Sequence, residues 1–163
     1  MDIEKDFTQI YNTHAPKGFR LCLGYSCGDE ELAKEWQQET FIKVWNHRNS
    51  FKAKSAISTW IYRIAVNTCL GDLRKSKKDV QLNESTLSID TEINENEKQE
   101  FQIKKLYNCI NKLTPANKTI ILLELEEIPQ ATIATMQGMA HGALRTRLSR
   151  IRSSLLKCIT NGK

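Results

Sequence analysis

Arg145, Arg147, Arg150 and Arg152 fall within eight residues of one another near the C-terminal end of the chain. Guanidinium groups are planar, permanently charged forks that pair with guanine O6 and N7 or with phosphate oxygens. A well-made pair with guanine discriminates against the wrong base by about 1–3 kcal/mol. Residues 128–163 contain no Asp or Glu, yet they also carry Lys157 and Lys163. A solvated protein face normally mixes charge signs, so an acid-free stretch of this length points to a polyanionic partner. Leu144, Leu148, Ile151 and Leu155 recur at the spacing of one helix face and leave the other faces to the basic residues. Upstream, a short helical pattern around Ile133 and Ala134 breaks at Gly138. A short helix, a glycine turn and a basic amphipathic helix form a helix-turn-helix, whose second helix enters the DNA major groove. The candidate contacts on that helix are His141, Arg145, Thr146, Arg147, Ser149, Arg150 and Arg152, with Arg145 and Arg152 predicted to face the same way.

A second group suits single-stranded nucleic acid. Residues 51–78 combine Lys52, Lys54, Trp60, Tyr62, Arg63, Asn67, Arg74, Lys75, Lys77 and Lys78. Aromatic rings among cations stack bases, at about 1–3 kcal/mol per base, while the cations follow the phosphates. Trp60 also sits at core spacing, so packing and stacking both remain open for it. In a third group, Gln38, Phe41, Ile42 and Trp45 follow i, i+3, i+4, i+7, while Leu32, Trp36 and Val44 lie partly on another side. A helix apolar on two sides either lies deep in a core or binds a partner.

Signatures of catalysis are missing: there is no phosphate-binding glycine loop, no His-Glu-x-x-His and no Cys-x-x-Cys. The five cysteines, Cys22, Cys27, Cys69, Cys109 and Cys158, are odd in number and scattered. That pattern argues against a disulfide framework, and buried free thiols are expected. The spacing of His14, Cys22 and Cys27 fits no standard zinc site. No metal or other cofactor is implied. No apolar run approaches the roughly 20 residues of a membrane span, and the polar, acidic start is unlike a secretory signal. A cytoplasmic protein without membrane insertion is expected.

These groups need helices to hold them. Asp29 is a good N-cap for the helix carrying Trp36 and Trp45, and Thr114-Pro115 is a cap followed by proline at the first helical position. Pro16 is expected to interrupt or kink the first helix. No period-two strand pattern appears, so the chain reads as all-α. Of its 163 residues, 1–78 carry a net charge of +4, 79–99 of −5 and 100–163 of +6. The middle segment is polar, acidic and free of aromatics, and reads as a flexible or partly docked linker. Two small helical domains, 1–78 and 100–163, joined by that acidic linker follow.

Together the residues resemble a known family. Residues 38–45, Phe51, residues 58–67 and residues 72–75 are similar to region two of bacterial RNA polymerase sigma factors, in the compact extracytoplasmic-function class. Ile133-Ala134, Gly138, Leu144, residues 147–151 and Leu155 resemble region four. The resemblance implies a factor for transcription initiation that performs no chemistry itself. It implies that Glu35, Gln38, Glu39, Phe41 and Trp45 dock on the coiled coil of the largest subunit of core RNA polymerase. It implies that Lys52, Trp60, Arg63, Asn67, Arg74, Lys75, Lys77 and Lys78 capture the opened minus-ten promoter element, and that the basic helix reads the minus-thirty-five element. An anti-sigma protein is a further possible partner. The chain departs from the family at Glu127, where glycine is common, at residues 129–132, which lack the usual polar cap, and at Ala140, where Ser or Thr is usual. The competing readings are a stand-alone DNA-binding regulator, which needs no region two, and a helical adaptor without DNA affinity.

Overall fold

The computed structural model describes residues 2–76 and 95–161. Those residues form α-helices and one 3-10 turn, with no strand among them. Helix α1 (Ile3–Tyr25) starts where the Asp2 carboxylate accepts the backbone N–H groups of Glu4 and Lys5. Pro16 lies inside α1 and does not interrupt it, contrary to the expectation. A proline forfeits one backbone hydrogen bond, and the buried face of Ile10, Ala15, Leu21, Cys22 and Tyr25 holds the helix through it. Helix α2 (Glu30–Asn46) is capped by Asp29, which accepts from the N–H of Leu32, and a 3-10 turn at Arg48–Ser50 leads towards α3 (Ile57–Ser76).

The first three helices pack against one another. Tyr11 meets Phe41 edge-on at 4.8 Å, and Phe7 meets Trp45 at 5.1 Å. Between α2 and α3, Trp36 Nε1 donates to Asp72 at 2.8 Å and Lys43 Nζ to Thr68 Oγ1 at 3.1 Å. These bonds satisfy polar atoms that the packing takes out of water.

Helix α4 (Glu95–Asn111) begins inside the segment read as linker. Lys77, Lys78 and most of that segment lie outside the described residues. Helix α5 (Pro115–Leu125) has Thr114 as its cap and Pro115 in the first turn. Helices α6 (Gln130–Gln137) and α7 (His141–Asn161) form the helix-turn-helix. Pro129 precedes α6 and, as its residue type dictates, supplies no side-chain cap.

The two halves touch, α1 against α5 and α3 against α6, and their buried apolar residues form one continuous cluster. Tyr25 Oη lies 2.5 Å from Thr119 Oγ1, Arg20 Nε donates to Glu126 at 2.7 Å, and Leu122 fills the space beside Gly24 that a Cβ there would need.

Two of the five expected free thiols are corrected by the fold. Cys109 and Cys158, 49 residues apart, are joined in a disulfide, because α4 and α7 pack side by side. Spacing along the chain carries no trace of such a crossing. Cys22, Cys27 and Cys69 are buried free thiols, with Cys69 Sγ 3.6 Å from Cys22 Sγ.

Helices α5 and α6 end alike. Gly138 (φ 64°) follows α6, with Met139 N–H bonded to Ala134 O and Gly138 N–H to Thr135 O. Glu127 (φ 60°) follows α5, with Ile128 N–H bonded to Leu123 O and Glu127 N–H to Glu124 O. Both are the six-to-one, five-to-two ending that favours a left-handed residue, usually glycine. A side chain there costs roughly 1–2 kcal/mol, so Glu127 stands where a glycine would be less strained. Since Glu127 is exposed, Glu127→Gly should stabilise the protein by about 0.5–1 kcal/mol after the added chain entropy of glycine. Thermal unfolding should shift up by a few degrees; an unchanged or lower midpoint would show that the left-handed turn is not strained.

Candidate nucleic-acid interfaces and partner-binding face

Burial of Leu144, Leu148, Ile151 and Leu155 sets the rotation of α7. His141, Arg145, Thr146, Ser149 and Arg150 are exposed. At 100° per residue, Thr146 and Ser149 lie opposite the buried stripe, with Arg145 and Arg150 on either side. This leaves an outward-facing strip of small polar side chains between two guanidinium groups.

The other two arginines are held by the protein itself. Arg147 Nε donates to Asn117 Oδ1 at 2.7 Å, and its Nη1 lies 3.8 Å from Met139 Sδ. Arg152 forms an ion pair with Glu124 of α5, which also accepts from Gln130 Nε2 at 3.3 Å. Arg147 and Arg152 of α7 thus each have a partner on α5, although the Arg152 side chain is still 54% exposed. The seven-residue spacing put Arg145 and Arg152 on one face, but it carried no information about Glu124.

On α3, Trp60, Arg63, Asn67, Gly71 and Arg74 follow steps of three and four and make one stripe about 21 Å long. Arg63, Asn67, Arg74 and Lys75 are exposed, as is Lys52 in the preceding loop. The Trp60 ring is half-buried, with its centroid 5.2 Å from that of Phe51. It packs against Phe51 and keeps part of its surface exposed at the head of the stripe. Tyr62 is in the core and bonds to His14 Nδ1 at 3.3 Å. Burial, and then Lys17, lowers the His14 pKa, while burial raises that of Tyr62. Both are uncharged at neutral pH, so the positive potential of this face comes from its Arg and Lys residues.

On α2, Glu35, Gln38 and Glu39 are exposed, and Glu39 pairs with Lys43 at 3.3 Å. Trp45 is half-buried between Phe7 and the Arg48 guanidinium, which lies 4.2 Å from its ring centroid. Phe41 is a correction. It is only 4% exposed, inside the core against Tyr11 and Gly18, and cannot reach a partner. Ile42, which stood in the same sequence series, is 58% exposed instead. Glu31, Glu35, Gln38 and Ile42 form one outward ridge that combines carboxylates with one large apolar side chain.

Comparison with known proteins agrees with both halves. The family model for Sigma-70 region 2 matches residues 10–79, and that for Sigma-70 region 4 matches residues 103–155. The ECF RNA polymerase sigma-E factor of Haemophilus influenzae is 32% identical, over 72% of this chain and 69% of its own. The ECF RNA polymerase sigma factor SigW of Bacillus subtilis is 27% identical over 93% of this chain and 87% of its own. The sigma factor RpoE of Bartonella quintana, solved in complex with the anti-sigma factor NepR, has the same fold. Its TM-score is 0.70 at 21% identity, covering 96% of this chain and 98% of that one.

The arginines of α7 should separate by experiment. Arg145→Ala and Arg150→Ala should each weaken binding of polymerase-bound protein to its upstream element, about 5- to 150-fold for a base contact and less, uniformly across sequences, for a phosphate contact. Arg147→Ala and Arg152→Ala should lower the unfolding temperature and leave base preference unchanged. Selection from randomised DNA alongside thermal unfolding reads both. A changed base preference in Arg152→Ala with unchanged stability would place Arg152 among the readers.

Proposed function

The chain belongs to the extracytoplasmic-function class of RNA polymerase sigma factors, and from that premise we propose how its surfaces divide the work of promoter-specific initiation. Residues 1–78 bind core polymerase and the minus-ten element, residues 79–99 connect the halves, and residues 100–163 bind the minus-thirty-five element. The α2 ridge of Glu31, Glu35, Gln38 and Ile42, with Glu39 and the Trp45 edge beside it, docks on the coiled coil of the largest polymerase subunit. The α3 stripe, with Lys52 before it and Lys75 to Lys78 after it, holds the opened minus-ten strand. Bases stack on the exposed part of Trp60, and Arg63, Arg74 and the lysines follow the phosphates. The exposed strip of α7 reads the upstream element. The protein catalyses nothing; it positions the enzyme. It acts in the cytoplasm, where polymerase and promoter DNA meet. A protein that covered the α2 ridge would block polymerase, which makes this ridge the surface an anti-sigma partner would take.

The observation that carries this reading is the presence of both basic surfaces on one chain beside a ridge of acidic and apolar residues. A stand-alone regulator has no use for the α3 stripe, and an adaptor has no use for either basic face. Each surface alone binds weakly, and joining both to polymerase raises their effective concentration at the promoter.

Reconstitution with core polymerase and a promoter library tests it. The protein should direct initiation from a defined subset of promoters that share two spaced elements; initiation independent of the added protein would refute the reading. Glu35→Lys combined with Ile42→Ala should weaken polymerase binding at least about tenfold, or 1.4 kcal/mol, while far-ultraviolet dichroism stays unchanged. Trp60→Ala should slow strand opening more than closed-complex formation, and Trp60→Phe should restore much of it. Equal loss in both steps with a lower melting temperature would mark Trp60 as purely structural.

A further inference from the structure

Cys109 lies in the closing turns of α4, is 4% exposed and is joined to Cys158 in the last turns of α7. The Cα atoms are 5.9 Å apart, within the range that a disulfide spans without backbone movement. The loop it closes contains α5, α6 and α7 up to its last turn, which is the whole helix-turn-helix. Helix α4 depends on the same place. It is exposed from Glu95 to Lys104 and buried only at Cys109 and Ile110, with Leu106 and Tyr107 partly covered. A protein that works on polymerase and promoter DNA sits in a thiol-rich compartment, where disulfides are usually transient and redox-sensing.

We propose that Cys109 and Cys158 form a reversible redox latch, closed by a peroxide-class oxidant and opened by cellular thiols, which tightens the upstream-element half of this protein. The inference rests on the sigma-factor reading above.

The chemistry balances within the pair. The partly exposed Cys158 thiolate attacks one peroxide oxygen, the O–O bond breaks, and a sulfenic acid and one water result. The Cys109 thiolate then attacks the sulfenic sulfur, the S–O bond breaks, and the disulfide and a second water form. Two thiols give up two electrons, and the peroxide is reduced to two waters. A glutathione-class thiol reverses the reaction by exchange and is itself oxidised to its disulfide.

The remaining cysteines make poor competitors. Cys22 and Cys69 are fully buried and Cys27 nearly so. Burial also raises the pKa of the Cys69 and Cys27 thiols, which removes the thiolate that oxidants attack. Cys158 is partly exposed, and Cys109 waits behind it.

Closing the latch removes chain entropy from the unfolded helix-turn-helix. Open, α4 keeps the packing of Leu106, Tyr107 and Ile110 but loses its covalent tie to α7, and the α4–α7 contact loosens. The oxidised protein therefore holds its reading helix more firmly than the reduced one.

The test uses the full chain with core polymerase and a promoter that requires its upstream element. Hydrogen peroxide should give a Cys109–Cys158 disulfide by mass mapping, with Cys22, Cys27 and Cys69 still alkylated as thiols after unfolding. Relative to reduced protein, amide exchange over residues 105–111 should slow at least about tenfold, and the C-terminal half should melt about 10 °C higher. Initiation should rise several-fold. Reduced glutathione should reverse every change, and Cys158→Ser, at a partly exposed position, should behave as reduced protein under both conditions. The proposal is overturned if peroxide yields no bond or joins Cys22 to Cys69, if exchange and initiation are equal in the two states, or if glutathione leaves the bond closed. Initiation that is equal in both states removes the latch alone, whereas no initiation in either state removes the sigma-factor reading.

Discussion

Burial of Leu144, Leu148, Ile151 and Leu155 fixes how α7 is turned about its own axis, and the proposed DNA face depends on that rotation. Each of those side chains contributes about 1.5–3 kcal/mol on leaving water, while an exposed ion pair such as Arg152–Glu124 contributes about 0–1 kcal/mol. The apolar stripe therefore decides the rotation, and the ion pairs adjust to it. Helix periodicity then determines which polar residues look outward: Thr146 and Ser149 in the centre, Arg145 and Arg150 at the sides. The same logic orders the N-terminal half. Val44, Phe41 and Trp36 turn α2 inward and leave Glu35, Gln38 and Ile42 outside, and Ile61, Ala65 and Cys69 turn α3 so that Arg63 and Asn67 face water.

Periodicity is a local property, so sequence reading placed the helices and the stripes well. Asp29, Thr114 and Gly138 marked their boundaries through cap and turn chemistry that acts over a few residues. The reading failed where a long-range contact decides. The series Gln38, Phe41, Ile42, Trp45 holds one residue that faces Tyr11 of α1 and another that faces solvent, and only the angle between α1 and α2 tells them apart. Arg147 and Arg152 have partners in Asn117 and Glu124, about thirty residues upstream, which helix spacing could not reveal. The Cys109–Cys158 bond needs the α4–α7 crossing, and Pro16 is carried through α1 by the core beneath it. Glu127 is an informative case: its departure from the family's glycine was visible in the sequence, but its meaning appeared only with its φ of 60°.

The halves share a boundary as well as a chain. Tyr25 and Thr119, Arg20 and Glu126, and Leu122 against Gly24 join α1 to α5. Lys118 is buried there, with its ammonium on Asn111 Oδ1 at 3.0 Å and 5.4 Å from the centre of the Tyr25 ring. Burial lowers its pKa, as expected for a cation taken out of water. Small helical domains have thin cores, and this boundary extends the core of each half into the other. Anything that tightens α4 against α7 acts on a half that is packed against the first three helices.

The central claim is that α3 and α7 contact two different promoter elements at once, on polymerase held by α2. Site-specific photocrosslinking tests this most directly, with a photoreactive amino acid placed at the exposed positions Asn67 and Ser149 in turn in the initiation complex. The account predicts crosslinks from Asn67 to the opened minus-ten strand and from Ser149 to the minus-thirty-five duplex. Crosslinks from both positions to one element, or to polymerase subunits without DNA, would contradict it.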